Sequence, residues 1–140
     1  MSQEPILIVD DNPMNLKLEK RLLEIEGYQV LTAKNAEETL RTLGYYRPRM
    51  ILMDFQLPGT DGVELTRKIR GNPAQEGVVI LMLTSYDQQG DEQKAMAAGC
   101  DGYIHKPIQT QLFPGVVAGY LRGEARGTGQ SGNADPSTNI

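Results

Sequence analysis

Five strand-length segments, separated by stretches of helical character, constrain this chain more than any other feature. Residues 6–9, 50–53 and 78–83 are continuous apolar runs; residues 28–32 and 102–105 carry β-branched or aromatic side chains. A short apolar run bounded by turn residues reads as a strand buried on both faces. The segments between them open at polar cap candidates such as Asn12 and Asn35 and stop at Gly27, Gly44, Gly71 and Gly99. A last helix is expected at about residues 110–122. It contains Pro114, Gly115 and Gly119. Proline inside a helix costs about 3 kcal/mol and glycine roughly 1 kcal/mol relative to alanine, which predicts a late start, a kink or a frayed first turn. Five strands alternating with five helices give an α/β, doubly wound five-stranded parallel sheet with helices on both faces, joined by right-handed crossovers.

The 140 residues suffice for one domain with a real core, expected over residues 1–122. Residues 123–140 are polar and rich in Gly, Ser, Thr and Asn, and read as a flexible tail or linker. The net charge of -4 argues against a nucleic-acid-binding surface. No apolar run approaches membrane-spanning length, and the N-terminus lacks a signal-peptide pattern. A lone cysteine, Cys100, points to a reducing, cytoplasmic compartment and reads as a packed, idle thiol. Met50 and Met53 read as core.

One helix face is ambiguous. Met14, Leu18, Leu22 and Ile25 share a stripe at helical spacing, with Leu16 and Leu23 roughly opposite. Either the helix buries a wide arc between its neighbours, or part of the stripe is an exposed docking patch.

The strand ends carry the chemistry. In an open α/β sheet ligands bind at the carboxyl edge of the strands. There the sequence places Asp10 and Asp11, Asp54, Thr84, and Lys106. Three carboxylates close together repel one another, so one would bind a proton unless something compensates. A hard divalent cation that keeps several waters, Mg²⁺, suits such a site. Lys106 supplies a compact positive charge and Thr84 a hydroxyl donor, an arrangement suited to phosphoryl transfer, where positioning and charge neutralisation dominate. Asp54 is the best nucleophile because its strand is central; Asp10 and Asp11 are better placed for metal. His105 reads as structural, facing away from Lys106. The segment 59–62 reads as a loop.

These residues together resemble the receiver domain of two-component response regulators over about residues 5–122. Asp10-Asp11 resembles its acidic pair, Asp54 through Gly62 its phospho-acceptor and following loop, Thr84-Ser85 its switch hydroxyl, and Lys106-Pro107 its lysine and cis peptide. The resemblance implies a flavodoxin-like (βα)5 fold with strand order 2-1-3-4-5. It implies phosphorylation of Asp54 by a sensor histidine kinase or histidine phosphotransfer protein. It implies Mg²⁺ held by Asp11, Asp54 and the backbone carbonyl of Gln56, with Asp10 acting through water. Thr84 and Tyr103 would move together toward the phosphoryl group and remodel the face made by the fourth helix, fifth strand and fifth helix, used for a downstream target or a homodimer. Gln56 and Tyr86 occupy positions that tune acyl-phosphate lifetime, and a bulky Tyr86 implies slow self-hydrolysis.

Two other function classes compete. A small phosphohydrolase of the haloacid dehalogenase kind also uses a strand-end aspartate, a threonine and a lysine, but needs an aspartate two residues after the nucleophile, where this chain has Gln56. A phosphorylation-silent pseudo-receiver would be a pure binding module; the complete acidic set and Lys106 argue against it.

Overall fold

Period two along the strands decides how the layers form. The computed structural model describes residues 4–85 and 90–123. In chain order the elements are β1 (Ile6–Val9), α1 (Pro13–Ile25), β2 (Val30–Ala33), α2 (Ala36–Leu43), β3 (Met50–Asp54), β4 (Gln56–Leu57), β5 (Thr60–Asp61), α3 (Gly62–Arg70), a 3₁₀ turn (Pro73–Gln75), β6 (Val79–Ser85), α4 (Asp91–Ala98), β7 (Gly102–Lys106) and α5 (Phe113–Leu121). Five strands form one parallel sheet in the order β2-β1-β3-β6-β7. That is the expected doubly wound flavodoxin-like order, with β6 and β7 as the fourth and fifth strands.

Alternate residues feed two separate cores. Ile6, Ile8, Met50, Leu52, Leu81 and Leu83 pack with Leu23 of α1 and Phe113, Val117 and Tyr120 of α5. Leu7, Val9, Ile51, Met53, Ile80 and Met82 pack with Leu43 of α2, Leu65 and Ile69 of α3, and Ala95 and Ala98 of α4. Both faces of the sheet are covered, which is why the strands read as unbroken apolar runs rather than alternating ones.

Local chemistry explains most boundaries. The Asn12 side chain accepts from the Met14 and Asn15 N–H groups, and Pro13 stands in the first turn of α1. Asn35 accepts from the Glu38 N–H, while Glu38 reaches back to the Lys34 N–H rather than to Asn35 itself. That is the capping-box reciprocity displaced by one residue. The last helix starts late, at Phe113, so Pro114 lies in the first turn where a missing N–H costs little.

Several expectations are corrected. Segment 59–62 is not simply a loop: β4 and β5 pair antiparallel across Pro58-Gly59, and Gly62 already opens α3. Gly59 has φ of 77°, the conformation a type II turn demands after proline. The second strand begins at Val30, two residues later than expected. Leu40 of α2 is 42% exposed. The α1 stripe is largely outside: Met14 is 79%, Leu18 40% and Ile25 69% exposed, while Leu23 and Glu19 are buried. The expected tail beyond Gly123 lies outside the described residues.

Candidate functional site

Sheet parity sorts the strand-end residues before any contact is considered. Asp54 continues the series Met50, Leu52, and Lys106 continues Ile104, on the α1–α5 side. Thr84 continues Ile80, Met82, and His105 continues Tyr103, on the side of α2, α3 and α4. Both sets meet at the carboxyl edge of the sheet.

Asp54 ends the central strand and is 4% exposed. Its Oδ1 accepts from Lys106 Nζ at 3.0 Å and from the Gln56 backbone N–H at 3.2 Å. Asp10 follows β1 and is fully buried; its Oδ1 accepts from the Asn12 N–H at 2.9 Å, and its Oδ2 has no hydrogen-bond partner. Asp11 is exposed. One carboxylate oxygen from each of Asp10, Asp11 and Asp54 lies within 4.8 Å of the others. They line an open cleft of about 340 Å³ together with Asn15, Gln56 and Lys106.

The sequence predicts that, unless something compensates, mutual repulsion leaves one of the carboxylates binding a proton. The Asp10 pKa is indeed raised, to about 6, but burial is the larger cause; the Asp54 charge adds to it, and the Asn12 N–H and Lys106 oppose it. Oxygen-only donors, an orphaned buried carboxylate oxygen and an open mouth fit a hard divalent cation that retains water.

Thr84 stands apart from this cleft. It is 1% exposed, and its Oγ1 lies 3.2 Å from His105 Nδ1. His105 is 4% exposed; its Nε2 lies 3.0 Å from a Glu92 carboxylate oxygen of α4, and its ring meets the half-buried Tyr103 edge to face at 5.5 Å. The Lys106–Pro107 peptide is cis. Tyr86 lies outside the described residues. Cys100 is buried, and its thiol is pushed up to about 12, chiefly by burial.

Sequence reasoning missed Glu19. Burial, then the charges of Asp10 and Asp54, push its carboxyl up to about 8, and its Oε1 has no partner. The signal was present: Glu19 stands at helical spacing with Leu16, Leu22 and Leu23, the stripe that turns inward.

A parallel doubly wound sheet with an acidic cleft and a lysine at its carboxyl edge defines a receiver-type module. The response regulator receiver domain model matches residues 6–117, and the chain belongs to that family, the receivers of two-component signalling. Among its relatives is the polar-differentiation response regulator DivK of Brucella anthropi, 34% identical over 116 residues, 83% of this chain and 94% of that protein. A CheY-like receiver domain protein from Methanospirillum hungatei superposes with a TM-score of 0.80 at 32% identity, covering 88% of this chain and 97% of that one. The receiver domain of the Pseudomonas aeruginosa sensor histidine kinase PA1611, solved with a magnesium ion coordinated in its active-site cleft, superposes with a TM-score of 0.78 at 30% identity, covering 86% and 99%.

Proposed function

We propose that Asp54 accepts a phosphoryl group from a phosphohistidine of a sensor histidine kinase or histidine phosphotransfer protein. The observation that carries this reading is the Asp54 carboxylate, held by Lys106 at 3.0 Å and flanked by Asp10 and Asp11 in an open cleft. Lys106 and the Gln56 N–H hold Oδ1, so Oδ2 is the attacking oxygen. A bond from Oδ2 to phosphorus forms as the donor's phosphorus–nitrogen bond breaks, and the imidazole leaves with the electron pair and takes up a proton. Lys106 neutralises charge on the transferring group. Asp11, Asp54 and the Gln56 carbonyl would hold Mg²⁺, with Asp10 behind them; bound there, the ion supplies charge neutralisation at the phosphoryl oxygens. Thr84 and Tyr103 read out the modification by shifting toward Asp54 and remodelling the α4–β7–α5 face, which a downstream protein or a second copy would bind. The exposed Met14 and Leu18 on α1, beside the cleft residue Asn15, support the docking-patch reading of that helix for the phosphodonor.

A phosphohydrolase is not favoured. The position of its general acid is Gln56, whose backbone N–H is engaged with Asp54.

Intact mass after incubation with acetyl phosphate and Mg²⁺ tests the reading. One added phosphoryl group, absent in Asp54→Asn and with chelator, is the expected result. Absence of an adduct, together with no binding of the acyl-phosphate mimic beryllium fluoride, would overturn it.

A further inference from the structure

A hydrogen-bonded chain runs from the carboxyl end of β6 into helix α4: Thr84 Oγ1, His105 Nδ1 and Nε2, then the Glu92 carboxylate. Its middle member is 4% exposed and its ring plane is braced by Tyr103. The proton positions follow from chemistry. A carboxylate only accepts, so the ring must carry its proton on Nε2 to satisfy Glu92. Burial lowers the His105 pKa against the opposing pull of Glu92, which keeps the ring neutral. Nδ1 then presents a lone pair, and the Thr84 O–H donates to it. This is the arrangement by which a carboxylate fixes an imidazole's tautomer toward a hydroxyl.

A threonine hydroxyl has one proton to give. It cannot donate to His105 and to a phosphoryl oxygen on Asp54 at the same time. We propose that His105 is a positioning residue of the switch: it holds the Thr84 hydroxyl away from Asp54 in the unphosphorylated protein and, through Glu92, couples release of that hydroxyl to α4. The proposal rests on the reading of Asp54 as acceptor and Thr84 as switch. It gives the α4 end of the output face a direct mechanical link to the site, separate from Tyr103. Neither the spacing of the sequence nor the parity of β7 announces it, because Glu92 reaches His105 only through the packing of α4 on the sheet.

The test is titration of the whole chain with beryllium fluoride in Mg²⁺, followed by backbone amide NMR. Wild type, His105→Leu, Glu92→Ala and Glu92→Gln are compared, each with and without Thr84→Ala. Loss of a competing hydrogen bond should tighten beryllofluoride binding in His105→Leu by about threefold to tenfold. That gain should vanish in the Thr84→Ala background, a coupling that a purely structural histidine would not show. Amide shifts in α4 on binding should shrink in His105→Leu while those around Asp54 persist. Glu92→Gln, whose amide oxygen still accepts from Nε2–H, should behave as wild type, and Glu92→Ala should tighten binding. If His105→Leu does not fold, the half-exposed Glu92 pair decides alone. Unchanged or weaker binding in folded His105→Leu or Glu92→Ala, or a gain that survives Thr84→Ala, would overturn the relay while leaving the acceptor reading intact. Wild-type protein that fails to bind beryllofluoride, or binds it equally in Asp54→Asn, would overturn both.

Discussion

Two buried carboxyls, Asp10 and Glu19, show how environment, not residue type, assigns a role. Asp10 keeps an N–H donor from Asn12 and an opening to the cleft, and rises only to about 6. Glu19 of α1 rises to about 8 and has a carboxyl oxygen without a partner. The folded state therefore keeps the Glu19 proton while the unfolded chain releases it above the ordinary value of 4.5. A raised carboxyl pKa means that the folded state binds more protons, so stability falls as pH climbs from about 4.5 to about 8 and then levels. Glu19→Leu should stabilise the protein by about 1–3 kcal/mol at the upper end of that window, from removal of an unsatisfied buried polar group, and by less at the lower end. Urea denaturation at the two ends, with chelator present, checks both sign and slope. Sequence made the site aspartates legible because each follows an apolar strand. Glu19 was overlooked, although Leu16, Leu22 and Leu23 flank it at helical spacing, because Met14, Leu18 and Ile25 made the outward side of α1 look as apolar as the inward one.

At the scale of elements, Arg70 and Gly62 fasten the two ends of α3. Arg70 at the end of α3 donates to the Gly99 and Val78 carbonyls, each at 2.7 Å, and to the Asp101 carboxylate at 2.8 Å. Asp101 in turn accepts from the Ile80 N–H at 2.9 Å. This fastens α3 to the start of β6 and to the α4–β7 turn. Arg70→Ala should cost roughly 1.5–3 kcal/mol, the range for hydrogen bonds to a charged group, read as a lower urea midpoint. Gly62 is the other contact. A Cβ there would stand 2.6 Å from the Asp54 backbone carbonyl and 2.9 Å from Met82 Sδ. Gly62→Ala should therefore destabilise by about 1–3 kcal/mol. It should also slow acetyl phosphate labelling of Asp54, because the displaced carbonyl belongs to the proposed acceptor itself. Both fasteners were illegible in sequence: no local pattern marks the carbonyls that Arg70 reaches, and Gly62 read as a loop residue. The late start of α5 was legible, because proline chemistry is local and needs no partner.

Across the whole molecule, any ion bound only by the folded state should raise its stability by mass action. At free Mg²⁺ about tenfold above its Kd, the expected gain is about 1.4 kcal/mol, measurable as a higher melting temperature. Asp11→Asn together with Asp54→Asn should abolish that gain. It should also shrink as pH falls through about 6, where Asp10 takes up its proton. A melting temperature that ignores Mg²⁺ in wild type would count against the site as a cation cleft. The sequence by itself determined the element alternation, the doubly wound sheet and the residues at its carboxyl edge, because burial on both faces writes continuous apolar runs and leaves polar residues at their ends. Tertiary structure alone decided which side of α1 faces solvent, why Glu19 keeps its proton, and that Thr84 answers to His105 and Glu92. Those outcomes depend on the angle at which each helix lies on the sheet and on distances between residues far apart in the chain, and no local pattern in the sequence encodes either.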